Sequence, residues 1–307
     1  EKGLTLGKLV EMYLAYQKKA FKLSTYRRNY YNLKTTTQCL GADTLVSSLS
    51  AGYIKQKMDT LDLENGSYNE YITRFKAMLR WGYENDLVAD IRYLDKLKKL
   101  QNDTRREKLV NKYLEREELS ALLKEMSSER WKLLTEFMVL SGLRYGEVCG
   151  LDKSDVSQTE QMIHVTKNYD YNNRVLTSTK TFTSPRDVFI QPELADVCKR
   201  IDAFFDAAGL RKSSTLFFPD FDGGYMHYYD YAKYIREASE RAIGRKIAPH
   251  ILRHTHVSLL AEAGVPLETI ARRLGHSDSR VTKEVYLHVT KRLEERDRER
   301  ISNTSLL

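Results

Sequence analysis

One polar stretch with no apolar repeat divides the chain and constrains its fold more than any other feature. Residues 101–112 are hydrophilic and basic, whereas the residues on either side follow patterns that bury apolar side chains. With 307 residues, the chain is also about twice as long as an ordinary domain. The sequence therefore predicts two domains, 1–100 and 113–289, joined by a linker at 101–112 and followed by a charged tail at 290–307.

The first segment has the period of amphipathic helices. Its first helix carries apolar residues at helical spacing, namely Leu6, Leu9, Val10, Tyr13 and Leu14. Thr5 is placed to cap that helix, and Gly41 to end a second, basic helix over 24–39. A third helix is predicted over 50–61, and a capping box at 67–70 predicts the start of a fourth. We expect a small helical bundle.

The second segment mixes helices with a few short strands. Helical patterns cover 115–126, 130–141, 192–208, 228–243, 249–263, 266–274 and 279–288. Three β-like runs at 163–167, 174–180 and 187–190 are separated by turn-forming residues, which predicts an antiparallel meander. The predicted fold class is mainly α with a small antiparallel β-sheet.

The positive charge is unevenly distributed. The net charge of the chain is +8, and residues 1–112 contain 21 Lys and Arg against 13 Asp and Glu. Residues 113–307 contain 29 of each kind, so the whole excess lies in the first third. This pattern is typical of a domain that binds a polyanion, and equally of a solvated basic surface.

Several classes of protein are excluded by what the sequence lacks. No apolar run is long enough to span a membrane. The three cysteines are widely spaced, which argues against a disulfide framework and favours a reducing cytoplasm. There is neither a zinc-binding motif nor a glycine-rich phosphate loop, so we predict no metal and no cofactor.

Cationic and proton-donating residues instead recur at the predicted ends of helices and strands. Arg144 follows a glycine in Ser-Gly-Leu-Arg-Tyr-Gly-Glu, and His250 and Arg253 lie three apart in His-Ile-Leu-Arg-His-Thr. His276 stands in Leu-Gly-His-Ser, and Tyr286 follows ten residues later. Lys180 lies in Thr-Lys-Thr, where a β-run meets a turn.

Taken in this order, these motifs resemble the tyrosine recombinase/integrase family, of the type found in phages and conjugative transposons. The resemblance implies a two-domain DNA clamp, with a helical core-binding domain at 1–100 and a mixed α/β catalytic domain. It implies the catalytic residues Arg144, Lys180, His250, Arg253, His276 and Tyr286. The abrupt start of the sequence is what we expect of a chain without the N-terminal arm-binding domain that such integrases often carry.

The chemistry explains why such residues are needed. Two arginines can neutralise the charge that develops on a scissile phosphate without a metal ion. Tyrosine, with an ordinary pKa near 10, needs activation to attack at neutral pH, and a nearby histidine can take its proton. A lysine can protonate the departing 5′-oxygen. The covalent 3′-phosphotyrosine conserves the bond energy, so rejoining needs no ATP.

The resemblance also implies partners. We expect duplex attachment-site DNA, a dimer or tetramer that passes through a Holliday junction, and accessory DNA-bending proteins, in the nucleoid of a bacterial cytoplasm. A tail at 290–307 exchanged between protomers would fit such an assembly, because its mixed charges and few apolar residues do not favour independent folding.

Alternatives stay open at this stage. A type IB topoisomerase would use the same chemistry without pairing two sites. Residues 253–274 also have the spacing of a helix-turn-helix, which would indicate a DNA-binding regulator without catalysis. Lys167 lies in a context like that of Lys180, and Glu147 is interpreted as a support for Arg144. Three further histidines, His254, His256 and His288, are interpreted as packing or supporting groups.

Overall fold

The computed structural model describes residues 3–101, 112–178, 185–275 and 280–304. The chain forms two compact units, Glu1–Arg105 and Arg106–Leu307, and each has its own apolar core. The fold class is confirmed, since helices dominate and the strands form small antiparallel sheets. None of the helices described is long and apolar enough to cross a bilayer.

The described residues of the first unit form a bundle of four helices, as the spacing of the apolar residues predicts. They are α1 (Leu6–Ala20), α2 (Leu23–Leu40), α3 (Ala51–Asp59) and α4 (Asn65–Glu84). Thr5 caps α1 by accepting a hydrogen bond from the Lys8 N–H at 3.3 Å, and Gly41 ends α2 with a φ of 87°. Short 3₁₀ turns at Val46–Ser48 and Arg92–Lys96 complete the unit.

The predicted capping box at 67–70 is wrong. The helix α4 already begins at Asn65, so Ser67 lies inside its first turn. The side-chain amides near this end have other partners. Asn69 exchanges two hydrogen bonds with the backbone of Leu100, and the Asn65 amide donates to the Gln101 carbonyl at 2.7 Å. These bonds tie the start of α4 to the end of the unit.

Helices also dominate the second unit. They are α5 (Arg116–Glu125), α6 (Glu129–Ser141), α7 (Tyr145–Cys149), α8 (Pro192–Ala207), α9 (Leu210–Ser213), α10 (Tyr228–Ile243), α11 (His250–Glu262), α12 (Leu267–Leu274) and α13 (Arg280–Ser302). A 3₁₀ turn at Lys153–Asp155 precedes the first strand.

The strands do not form the predicted meander. The described residues form five strands: β1 (Val156–Ser157), β2 (Met162–Val165), β3 (Lys167–Asp170), β4 (Val175–Ser178) and β5 (Arg186–Phe189). One sheet has the order β1-β2-β5, and β3 pairs with β4 alone. The run 163–167 is in fact two segments, because Lys167 already belongs to the hairpin that is inserted between β2 and β5.

The apolar residues of this unit fall into two clusters. The larger one joins α5, α6, α7, α8 and α10 to the three-stranded sheet. The smaller one is formed by Tyr113, Val257, Ala261, Ile270, Leu274, Val285 and Val289. This smaller cluster holds α11, α12 and α13 together. Helix α11 carries His250 and Arg253, and α13 carries Tyr286.

The last helix is longer than predicted. The sequence suggests a helix over 279–288 and a separate tail from 290, but α13 continues without a break to Ser302. The middle turns of α13 contact the rest of the second unit. Leu293 packs on the smaller apolar cluster, and Arg292 donates hydrogen bonds to Glu115 and Glu262 at 3.0 Å each. No glycine or proline interrupts this stretch, so the helix propagates beyond its anchored part.

Candidate active site

Arg144 lies at the start of a short helix, as its motif predicts. It is the residue immediately before α7, and its backbone N–H donates to Glu147 Oε2 at 2.8 Å. The guanidinium returns to the same carboxylate, with Nη1 donating to Oε1 at 2.7 Å. The side chain remains 32% exposed, so it is the arginine of this site that solvent reaches.

Glu147 is the centre of the site. Its side chain is only 2% exposed and pairs with Arg144 and with Arg186, whose two Nη atoms lie 3.1 and 2.9 Å from its oxygens. Arg253 Nη1 lies 3.9 Å from Glu147 Oε2. Burial alone would raise the pKa of Glu147, but the hydrogen bonds and charges of the three arginines lower it to about 2. Glu147 therefore stays ionised and fixes three guanidiniums around one point.

Arg253 is almost fully buried. Its Nη1 donates to the Gly142 carbonyl at 2.5 Å and its Nη2 to the Leu274 carbonyl at 2.6 Å. Burial and the charge of Arg144 lower the pKa of Arg253 to about 9, which still leaves it charged at neutral pH. Two segments distant in sequence thus fix the orientation of this side chain.

The turn at Gly142 requires glycine. Its φ of 69° lies in the left-handed region, and a Cβ atom there would lie 2.5 Å from His256 Cδ2 and 2.9 Å from Leu274 Cδ2. The turn ends α6 and directs the carbonyl of Gly142 towards Arg253. The glycine of the Ser-Gly-Leu-Arg motif is therefore needed both for backbone geometry and for space.

His250 joins the two predicted arginines at the first residue of α11. Loss of hydration lowers its pKa, and so do the charges of Arg253 and Arg144, although part of the residue surface remains exposed. Its ring lies edge-on to the ring of His254, with 4.7 Å between the ring centroids. The structure therefore brings Arg144, His250 and Arg253 into one electrostatic cluster.

Two arginines outside the predicted set of site residues support this cluster. Arg186 donates from Nε to the Arg273 carbonyl at 2.7 Å, in addition to its bonds with Glu147. The Arg273 guanidinium donates to the Phe189 and Leu140 carbonyls at 2.8 and 3.1 Å. A signal for Arg186 was present, since period-2 alternation places it on the same face of β5 as the buried Val188.

His256 has the supporting role that the sequence suggests. The ring is buried, its Nδ1 lies 2.7 Å from the Val139 carbonyl, and Arg273 Nε donates to its Nε2 at 3.2 Å. Burial and the Arg273 charge lower the pKa of His256 to about 3. The neutral ring thus fills the space beside Gly142 and contacts Arg273.

The two candidate lysines differ in what the structure describes. Lys167 binds Asp152 and lies 2.7 Å from Asp155 Oδ2. Burial opposes the charged form, but these two carboxylates raise the pKa of Lys167. Lys180 lies outside the described residues, as does His276.

Tyr286 lies on α13, partly buried against the smaller apolar cluster. Helix α13 packs directly on α11, which carries His250 and Arg253. Among the described residues, none forms a hydrogen bond with the Tyr286 hydroxyl. Residues 280–304 contain no other tyrosine, so α13 offers a single phenol.

No group of three or more His, Cys, Asp or Glu side chains in the described segments is arranged to hold a metal ion. The site that these segments form is dominated by guanidinium groups. Such a site is suited to binding a phosphate.

Comparison with known proteins identifies the family. Residues 112–292 match the family model described as the phage integrase family. The chain belongs to this family of tyrosine recombinases. It is 28% identical to the Prophage ps2 probable integrase of Lactococcus lactis, over 93% of this chain and 79% of that protein.

Two solved structures share the fold of this recombinase. The Tn1549 transposon integrase in complex with transposon right end DNA matches with a TM-score of 0.77 and 18% identity, over 95% of this chain and 99% of that one. A lambda integrase tetramer bound to a Holliday junction matches with a TM-score of 0.70 and 14% identity, over 92% and 77%. The recombinase is thus an enzyme of site-specific DNA recombination, and neither the topoisomerase nor the regulator is favoured.

Proposed function

We propose that this recombinase integrates or excises a mobile element, and that Arg144 and Arg253 bind the scissile phosphate while Tyr286 attacks it. The observation that carries the proposal is the shared carboxylate of Glu147, which holds Arg144, Arg186 and Arg253 around one point. The family supplies the reaction, and this geometry supports the assignment of residues.

The charge of the cluster favours an anionic ligand. Three guanidiniums surround one carboxylate, so the group carries more positive than negative charge. Arg186 and Arg253 are buried, and a buried cation that has lost its hydration interacts strongly with an incoming anion. The exposed edge of Arg144 makes the first contact with the phosphate, and the fixed Arg253 stabilises the charge that develops in the transition state.

Tyr286 and His250 supply the proton chemistry in this proposal. The Tyr286 oxygen forms a bond to phosphorus while the bond from phosphorus to the 5′-oxygen breaks, which leaves a 3′-phosphotyrosine. His250 has a lowered pKa, so it is neutral at pH 7 and can accept the phenolic proton. Lys180 protonates the departing 5′-oxygen and His276 contacts the phosphate, roles implied by family resemblance alone.

Trapping of the covalent intermediate tests these roles. A duplex attachment site that is nicked beside the cleavage position should accumulate covalent wild-type protein, and none with Tyr286→Phe. Arg253→Lys keeps a charge but cannot reach both the Gly142 and Leu274 carbonyls, so its trapping rate should fall by about 10²–10³. Covalent product from Tyr286→Phe would exclude Tyr286 as the nucleophile.

A matched control distinguishes a specific effect at the active site from the effect of replacing any arginine by lysine. Arg241 is an exposed arginine on α10 that pairs with Glu125 at the surface. Arg241→Lys should trap DNA at the wild-type rate. An Arg253→Lys protein that traps as fast as this control would show that the geometry of the Arg253 side chain is not needed.

Lys180 has a test of its own. A substrate with a 5′-thiol leaving group needs no proton, because a thiolate departs readily. Lys180→Ala should therefore be slow on normal DNA and close to wild type on the thiol substrate. Lys167→Ala is the control, and it should lose stability instead, because Lys167 pairs with Asp152 and Asp155. Equal losses of Lys180→Ala on both substrates would contradict the role of proton donor.

The proposal extends to the assembly. Residues 1–100 bind the core of the attachment site, and the catalytic domain binds the same duplex. The predicted linker at 101–112 lies almost entirely outside the described residues. The lambda integrase tetramer on a Holliday junction supports a dimer-to-tetramer assembly here. The exposed end of α13, within the predicted tail 290–307, remains the segment that we propose docks on a neighbouring protomer. Accessory bending proteins and a site of action in the bacterial nucleoid belong to the same proposal.

A further inference from the structure

A chain of polar side chains crosses the apolar bundle of the first unit. The Gln17 amide donates to the Tyr13 hydroxyl at 2.6 Å, and Gln17 in turn accepts a bond from Asn29. Arg74 Nη1 then donates to Asn29. Gln17 and Asn29 are buried, at 2% and 6% exposed, so these groups need one another as partners. The network links α1, α2 and α4.

The network ends at the surface in an arginine held by a carboxylate. Arg74 donates from Nε and Nη2 to Glu70 Oε1 at 3.2 and 3.1 Å. The same oxygen, Glu70 Oε1, also accepts a hydrogen bond from Arg28 Nε at 2.7 Å. The Arg28 side chain is 62% exposed, and its two terminal nitrogens have no hydrogen-bond partner among the residues that the structure describes.

This arrangement leaves a fork of donors with a fixed direction. An arginine bound through Nε keeps both Nη groups for a ligand, and its side chain has already lost part of its rotational freedom. Two acceptors side by side are the chemistry that such a fork matches. In duplex DNA they are either two phosphate oxygens or O6 and N7 of guanine in the major groove.

The helix that carries Arg28 favours DNA as the ligand. Helix α2 contains Arg27, Arg28 and Lys34 and no acidic residue in its 18 positions. Arg28 and Lys34 are both exposed. An α-helix fits the major groove of B-form DNA, and a helix that carries basic and no acidic residues is attracted to the phosphates.

We propose that Arg28, oriented by Glu70, reads a guanine of the attachment site in the major groove. The inference rests on the proposed function in that it takes duplex DNA as the substrate. Guanine is favoured over a phosphate because a lysine without a set direction can also contact a phosphate, whereas base reading needs a guanidinium whose direction is set. Glu70 and Arg74 act as positioning residues, and Asn29 connects them to the interior.

Selection from a randomised duplex pool tests the inference with the full chain. The wild type should enrich a motif that contains an invariant guanine. Arg28→Ala should lose the preference at that single base pair and keep the rest of the motif. Replacing the guanine by another base should weaken wild-type binding on the order of 10- to 100-fold, and should hardly affect the variant.

Two further variants distinguish recognition of the guanine from general electrostatic attraction to DNA and from a merely structural role of Glu70. Lys34→Ala removes one exposed charge from the same helix, so it should lower affinity for all duplexes and leave the motif intact. Glu70→Gln removes a negative charge, so affinity for unrelated DNA should rise while the preference for guanine falls. A merely structural role of Glu70 would not produce these opposite changes.

Two outcomes would overturn the inference. If Arg28→Ala keeps the wild-type motif and binds all duplexes more weakly, with a log–log salt slope reduced by about one, Arg28 contacts a phosphate. If Arg28→Ala binds DNA with the affinity and motif of the wild type, then Arg28 does not contact the DNA. Failure of the wild type to bind any duplex is a different result, because it would contradict the proposed function itself.

Discussion

Ionised groups in a protein interior are costly unless they are paired, and the cluster around Glu147 is paired throughout. Arg253 also uses two backbone carbonyls as acceptors, so its orientation depends on the chain and not on one partner side chain. Removing Glu147 would leave Arg186 and Arg253 buried without a carboxylate, and removing Arg253 would leave two backbone carbonyls without their donor. Substitutions in this cluster should therefore affect stability together with cleavage, and the two must be measured separately.

The neutral ring of His256 leads to a prediction about pH. In the unfolded chain a histidine binds a proton below about pH 6.5, whereas the folded ring stays neutral down to about pH 3. The unfolded state then binds more protons, so the free energy of unfolding should fall by about 1.4 kcal/mol for each pH unit below 6.5. Between pH 6.5 and pH 5 the loss should be about 2 kcal/mol.

Urea unfolding at pH 7 and pH 5 measures this loss. His250 has a lowered pKa and acts in the same direction, while the exposed His164 has a raised pKa, from its bonds with Asp187 and Glu160, and opposes it. The matched variant is His256→Asn, which keeps a donor for the Val139 carbonyl and does not titrate. If wild type and variant lose the same free energy over this range, His256 is not the group responsible.

At the scale of helices and turns, Gly142 offers a controlled comparison. Gly142→Ala should lower the free energy of unfolding in two ways, through its left-handed backbone and through the contact of 2.5 Å with His256. Gly209 has a similar φ of 72°, but a Cβ atom there meets nothing within 4 Å. Gly209→Ala should therefore cost only the backbone part, about 1–2 kcal/mol.

The difference between the two glycine variants isolates the effect of crowding. We expect Gly142→Ala to be less stable than Gly209→Ala by about 1–3 kcal/mol, the usual cost of overpacking. It should also cleave DNA more slowly, because the Gly142 carbonyl holds Arg253. Equal stabilities of the two variants would mean that the turn moves to accommodate the methyl group.

Helices were predictable in this chain because their signals are local. The period of apolar residues and glycine stops such as Gly41 gave most helices within a few residues. The arrangement of the strands was harder to predict, because the β3–β4 hairpin is inserted between two paired strands and only long-range pairing reveals it.

The predicted residues Arg144, His250 and Arg253 do come together. The alternation of β5 indicates only that Arg186 faces the interior. Its partner Glu147 and the carbonyls that Arg273 binds are brought near by the tertiary fold, so local sequence patterns do not predict these contacts.

For the whole molecule, the separation of charge leads to a prediction about salt. Residues 1–112 hold the entire excess of eight positive charges, so they should neutralise most of the phosphates. A fragment of residues 113–307 should bind duplex DNA more weakly than the full chain, with a shallower dependence of log Kd on log salt concentration. Parallel slopes in a fluorescence-anisotropy titration would contradict this.

The two units bury separate sets of apolar side chains, with Leu9 and Phe75 in one core and Phe137 and Phe205 in the other. A substitution that destabilises one core leaves the other intact. The two units can therefore accumulate substitutions at different rates during evolution. Substitutions at residues such as Arg28 and Glu70 can then change the DNA sequence that the enzyme recognises, while the catalytic unit stays unchanged. A chimera that joins residues 1–100 of a relative to residues 101–307 of this chain would be a natural way to retarget it.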